Sequence, residues 1–268
     1  MEKSVKRDAI ASIFNELRGE NPNSTVFIFD NDKVKEITSN KFSNQFDATK
    51  FDTTKLLPSD LRNNGFFIMH LGTGKHAFVK GIGYYAFEPI QSKKNWKSSK
   101  SFIDTLGKSE ASTVSELYNS KIIHDFLFGR TDVSIKVHTA RRTKISYEVL
   151  VGETLLHAES QQIEIDGIFE TDNTIVAVEA KNAEHDDFEI RQLFNIMKYF
   201  EKKKLPSNYK LRIIFVVRVK EVNKNFFRLY EYGFTDNKKL NSIRLLRNIE
   251  YDINPIKTLD LKKWELKC

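Results

Sequence analysis

The stretch that decides the fold is Gln162-Ile163-Glu164-Ile165-Asp166-Gly167-Ile168-Phe169-Glu170, followed by Thr174-Ile175-Val176-Ala177-Val178-Glu179-Ala180-Lys181. Both segments are rich in β-branched residues and are separated by Thr171-Asp172-Asn173, so they read as two strands of a hairpin. Side chains alternate along a strand, so Glu179 and Lys181 share one face while Val178 and Ala180 point the other way, into a core. The run Ile175–Val178 is wholly apolar, which implies burial on both faces. A carboxylate and an amine thus emerge from an apolar strand, where charges are expensive unless paired or bound to a metal. Asp166, on the preceding strand, is placed to approach Glu179.

Two acidic groups converging on one point suit a hard divalent cation such as Mg²⁺, which takes oxygen ligands and keeps several waters. Such a cation polarises a phosphoryl oxygen and lowers the pKa of a bound water. Lys181 would orient that water or stabilise charge developing on phosphorus. These are the components of phosphodiester hydrolysis. The competing reading is a cross-strand Glu–Lys pair on a solvated sheet face; the apolar run before Glu179 stands against it.

Outward from this stretch, residues 186–203 carry Ile190, Leu193, Phe194, Met197 and Phe200 at helical spacing, and Pro206 follows. Tyr209–Lys220 reads as a buried strand. Upstream, residues 112–128 read as a helix capped by Ser112 or Thr113, with Glu116 in its first turn and Val114, Leu117, Tyr118, Ile122 and Phe126 facing the core. Asp132–Val137 and Lys144–Val151 are alternating strands. Nearer the N-terminus, residues 3–18 predict a helix stopped by Gly19, and Thr25–Asp30 a strand. Gly65–Leu71 and His76–Ile82 predict a hairpin turning at Gly72-Thr73-Gly74-Lys75, with Tyr84–Ile90 extending that sheet. Residues 38–64 give no clear assignment. The polar, basic segment 91–101 marks the expected internal boundary, between a strand-rich region 1–100 suited to DNA recognition and a core over 101–268. The expected class is α/β, a mixed sheet flanked by helices.

Asp166, with Glu179-Ala180-Lys181 after 12 intervening residues, resembles the PD-(D/E)XK motif of a nuclease superfamily that includes most type II restriction endonucleases. The predicted order of helix, antiparallel strands, helix and further strand resembles that family's core over roughly residues 110–220. The resemblance implies a restriction-endonuclease-like fold, with Asp166 and Glu179 as Mg²⁺ ligands and Lys181 as the catalytic lysine. Glu116 matches the acidic residue that some members carry on the first core helix. Ile165 stands where the motif has Pro. One branch of the family carries Gln-x-x-x-Tyr on the second helix; here Gln192 is followed by Ile196, although Gln192 is still expected to face the site. The implied activity is site-specific cleavage of double-stranded DNA by a homodimer matched to a palindromic target. A repair, recombination or mobile-element nuclease with the same core stays open, as does a non-catalytic DNA-binding module.

The net charge of +7, from 43 Lys and Arg against 36 Asp and Glu, favours a polyanionic partner. Arg141, Arg142 and Lys144 form a basic turn suited to phosphates. Trp96 between Lys94 and Lys97 suits a nucleic-acid clamp, or equally a solvated loop with an anchoring indole. Gly72-Thr73-Gly74-Lys75 fails the phosphate-loop pattern, since Met69 stands five residues before Gly74, and a β-turn is expected there. With no ATPase or helicase motif, no nucleotide cofactor is expected. The six histidines show no paired ligand spacing, and Glu153 and Glu164 are candidate extra acidic ligands for which surface charge is the expected role. Cys268 is the sole cysteine, so no disulfide forms within the chain. No apolar run approaches the roughly 20 residues that span a bilayer, and Met1–Asp8 leads into no apolar signal segment. A soluble cytoplasmic protein is expected.

Overall fold

The computed structural model describes residues 2–39, 45–98, 107, 109–138, 140–221 and 224–255. Residues 99–101 of the basic segment, Thr139 and Cys268 lie outside them. Helix α1 (Glu2–Glu20) buries Ile10, Ile13 and Phe14 along one face. Phe14 meets Phe27 and Phe78 edge-on, which seats the helix on a three-stranded antiparallel sheet. That sheet has the order β1 (Val26–Asp30), β3 (Lys75–Lys80), β2 (Phe66–Gly72). Three short helices, α2 (Asn31–Thr38), α3 (Gln45–Thr49) and α4 (Ser59–Asn63), fill the segment between β1 and β2.

The larger part is a seven-stranded mixed sheet. Its order is β5 (Lys93–Ser98), β14 (Ile243–Pro255), β13 (Lys224–Phe234), β12 (Lys210–Glu221), β10 (Thr174–Lys181), β9 (Gly167–Thr171), β6 (Lys136–His138). β10 runs parallel to β12 and antiparallel to β9. Its side chains alternate between two cores. Val176, Val178 and Ala180 pack under α5 (Glu110–Asn119) and α6 (Ile122–Phe128). Ile175 and Ala177 join Ile213, Phe215 and the apolar face of α7 (Ile190–Lys203), in a core continuous with that of the N-terminal sheet. Burial on both faces explains the unbroken apolar run in β10. The architecture is therefore mixed α/β, with sheets flanked by helices.

A long hairpin of β7 (Arg141–Val151) and β8 (Thr154–Ile165) joins the two parts, because β8 also packs against β2. The junction is tight at Gly72. A Cβ there would lie 1.9 Å from the Glu159 carbonyl oxygen, and φ is +83°. Only glycine lets the β2–β3 turn sit on the β8 backbone. The turn itself is the β-turn expected from the sequence.

Several expectations give way to non-local pairing. Tyr84–Ile90 does not extend the N-terminal sheet; β4 (Tyr84–Ala86) pairs with β11 (Asp187–Glu189), the segment read as the start of the helix at 186–203. The polar segment 91–101 is not a break, because it holds β5, which runs parallel to β14 at the sheet edge. The helix expected over 112–128 is two helices. Lys121 adopts φ +62° between them, and the N-cap is Ser109, whose side chain accepts from the Ser112 N–H. The strand 162–170 is interrupted at Asp166, between β8 and β9.

Candidate active site

The interruption at Asp166 shapes the site. The Asp166 N–H donates to the Val178 carbonyl at 3.1 Å, and its Oδ2 accepts from the Ala180 N–H at 2.8 Å. The carboxylate is thus pinned to β10 beside Glu179. Gly167 follows because α5 passes directly over it; a Cβ would come within 2.5 Å of Val114 Cγ1. That close approach brings the first turn of α5, with Glu110, over the end of β10.

Lys181 links the acidic groups. Its Nζ donates to Glu179 Oε1 at 2.8 Å and to Glu110 Oε1 at 2.7 Å. Three carboxylates and one ammonium therefore meet at the C-terminal end of β10. Burial pushes Glu179 up to about 7; Lys181 opposes this, and Asp166 adds to it. Burial likewise lifts Asp166 to about 6, against the pull of the Ala180 N–H. Burial disfavours the Lys181 ammonium too, but Glu179 and Glu110 outweigh it and hold the amine above its ordinary range. The carboxylates are thus short of positive charge, while the lysine stays protonated.

These groups line a cleft of about 440 Å³. The large sheet supplies Asp166, Glu179 and Lys181, α5 supplies Glu110, and α7 supplies Arg191, Gln192 and Asn195. The N-terminal part closes the other side with Asn31, Lys50, His70 and the turn Gly72–His76. His70 and His76 share a bond between their Nδ1 atoms at 2.8 Å, and His76 Nε2 meets Asn31 Oδ1 at 2.9 Å. Burial, then the charge of Arg191, pushes His76 down to about 4, so the ring is neutral. With Nε2–H donated to Asn31, His76 Nδ1 must accept from His70 Nδ1–H.

The structure brings Asp166, Glu179 and Lys181 together as the sequence predicted, and it places Gln192 in the same cleft. Gln192 Oε1 is buried without a hydrogen-bond partner among the described residues. Glu116 is a correction. It binds Arg218, with 2.7 Å from Arg218 Nη2 to Glu116 Oε1, and does not line the cleft. Glu110, six residues earlier, takes the position expected of Glu116. Its only sequence signal is the acidic first turn behind the Ser109 cap.

The expected nucleic-acid contacts divide. Lys144 lines the cleft. Arg142 pairs across the hairpin with Glu164 at 3.1 Å, and Arg141 lies over the Tyr199 ring in a separate groove. Lys94, Trp96 and Lys97 are not at the cleft. Lys94 binds Asp125, the Trp96 indole N–H donates to the Ser120 carbonyl at 2.8 Å, and Lys97 is exposed. Strand β5 stands four strand spacings from β10, about 19 Å, and its inward side chains anchor the sheet edge to α6.

Among the described residues, no three His, Cys, Asp or Glu side chains are grouped to hold a metal ion by themselves. Asp166 and Glu179 do fit a cation that needs few protein ligands. Each has a second carboxylate oxygen without a hydrogen bond among the described residues, and burial raises both above the usual carboxylate range, a penalty that a bound cation would offset. Mg²⁺ is such a cation, since it completes its shell with water and substrate phosphate.

A family described as Domain of unknown function (DUF6997) matches residues 80–252. A second, described as Domain of unknown function (DUF6996), matches residues 7–78. No curated protein and no solved structure matches the chain. The two matched segments meet at the end of β3, and the cleft takes side chains from both. No helix among the described residues is long and apolar enough to cross a membrane.

Proposed function

The chain belongs to the DUF6997 family, and we propose that it is a Mg²⁺-dependent, site-specific endonuclease of double-stranded DNA, of the type II restriction kind. The observation that carries this reading is the junction of Asp166, Glu179 and Lys181 at the end of a doubly buried strand. Around it α5 precedes the antiparallel strands β9 and β10, and α7 leads into β12, which runs parallel to β10.

Asp166 and Glu179 would hold the cation, which when bound supplies an activated water and a polarised phosphoryl oxygen. Asp166 is oriented by the Ala180 N–H and keeps Oδ1 for that task. Lys181 remains protonated and stabilises negative charge developing at phosphorus. Glu110 positions Lys181 from the side opposite Glu179. Gln192 offers a buried acceptor to a water or an amino group of the substrate. A palindromic target would be met by two copies related by a twofold axis, acting in the cytoplasm without a nucleotide cofactor.

The test is incubation of the protein with long, sequence-diverse, unmethylated DNA in Mg²⁺ or in EDTA. Discrete fragments only with Mg²⁺, lost in Asp166→Ala and Glu179→Ala, are the expected result. DNA bound but left intact with every divalent metal would replace this reading with that of a non-catalytic binding module.

A further inference from the structure

We propose that the same cleft contains a second, phosphate-binding subsite, built jointly by Lys50 and Lys75 of the N-terminal part and Lys144 of β7. It holds backbone phosphates that flank the scissile one. The inference rests on the nuclease reading for the identity of the polymer as nucleic acid.

The cleft is polar in the electrical sense. Glu110, Asp166 and Glu179 crowd one end, with Lys181 among them. The other cations of the cleft lie elsewhere along its walls. Lys75 and Lys144 are exposed, and neither has a carboxylate within ion-pair distance among the described residues. Among the described residues Lys50 has one carboxylate partner, Asp52, at 3.6 Å. By contrast, Arg212, Arg218 and Arg228 are each held by a carboxylate at 2.7 Å or less. Glu164, which also lines the cleft, is paired with Arg142 across the hairpin.

Two of these lysines stand on paired strands. Lys75 opens β3 directly after the turn that Gly72 seats against β8. Lys144 stands opposite Gln162 on that same β8, four residues before Asp166. Strand β8 thus ties the basic wall to a proposed cation ligand. A strand whose scissile phosphate sits at Asp166 and Glu179 has further phosphates to place. Ammonium groups without a close carboxylate, as at Lys75 and Lys144, joined by the loosely paired Lys50, are the chemistry that receives them.

The test measures binding of a fluorescent DNA duplex in Ca²⁺ across a salt series. It compares wild type, the triple variant Lys50→Glu, Lys75→Glu, Lys144→Glu, and a control with the same charge change at Lys80, Lys136 and Lys202. None of the control residues lines the cleft. Each phosphate contact adds about 0.9 to the slope of log affinity against log salt. The cleft triple should therefore lose about two to three from the slope and weaken binding on the order of tenfold or more. The control should keep the wild-type slope, and thermal unfolding should show all three proteins folded. Equal weakening of both triples overturns the subsite even if wild type cuts DNA. If wild type binds without cutting and only the cleft triple loses slope, the subsite stands and the nuclease reading fails. No binding by wild type overturns both.

Discussion

Replacing Glu179 by Gln should make the protein more stable in mild alkali while abolishing the proposed cleavage. Glu179 is 6% exposed, and burial lifts its carboxyl from 4.5 to about 7 even with Lys181 bonded to it. Each tenfold change in proton affinity is about 1.4 kcal/mol, so the folded state disfavours the ionised form by about 3 kcal/mol. The sign follows from linkage. The folded value lies above the unfolded one, so there is no penalty below the unfolded value, and stability is lost as pH rises through about 7. Glutamine keeps the volume and an acceptor for Lys181 but carries no charge. Its advantage should therefore be about 3 kcal/mol near pH 8 and should close as pH falls toward the unfolded value. For a chain of this size that corresponds to roughly 6–12 °C in Tm. Thermal and urea unfolding of both proteins from about pH 5 to pH 8 would measure it. On the proposed nuclease reading, added Mg²⁺ should raise the wild-type Tm and leave the variant unmoved, because the cation would need both native carboxylates. A glutamine variant less stable than wild type near pH 8 would refute the reasoning, since Glu179 would then be a structural partner of Lys181.

Glu110→Ala should lower cleavage about tenfold or more with a stability change under about 1 kcal/mol, because a half-exposed ion pair contributes little to folding. Glu116→Ala should do the reverse, costing about 3 kcal/mol by stripping Arg218 of its carboxylate while leaving kcat at permissive temperature near wild type; urea unfolding and steady-state cleavage separate the two. Gly72→Ala should cost about 3 kcal/mol or more, from a left-handed φ and a collision with the Glu159 carbonyl. Gly65→Ala, with φ +73° but open space, should cost about 1–2 kcal/mol in the same melting experiment. His76 is buried and held neutral, with its folded value lowered to about 4, so its contribution is complete above the unfolded value of 6.5 and is lost as pH falls toward 4. His76→Gln should flatten the fall in urea midpoint across that window, and an unchanged slope would refute the assignment.

The centre of the fold was legible because its signals are local. An apolar run interrupted only by Glu179 and Lys181 has few uses other than a doubly buried strand, and the stripe in α7 reports its own face. Most of the misreadings share one cause: partners distant in sequence. Asp187–Glu189 continues a helical pattern, yet it is a strand because Tyr84–Ala86 lies alongside. Lys94 and Trp96 look like a solvated basic loop until β14 is placed beside them. The split between α5 and α6 falls at Ser120-Lys121, with no Gly or Pro to announce it. Glu110 and Glu116 show why the site was only partly readable. Helical spacing identifies a face, but which turn of α5 reaches Lys181 depends on where that helix crosses Gly167. The wall formed by Asn31, Lys50 and the turn at 72–76 depends on docking between segments far apart in the chain.

The parallel pairing of β5 with β14 has a consequence for biosynthesis. Lys93 aligns with Glu250, so the edge strand leaves the ribosome well before its neighbour exists. At about 5–20 residues per second, the intervening stretch of roughly 150 residues takes on the order of 10–30 s to make. Throughout that interval Trp96 lacks Tyr251, the ring it meets at 5.5 Å in the finished sheet. The nascent chain therefore exposes an unpaired strand edge with an indole on it, and a chaperone that recognises aromatic segments has its binding window there. Truncated chains ending before β14 should be captured by such a chaperone, and full-length chains should be released.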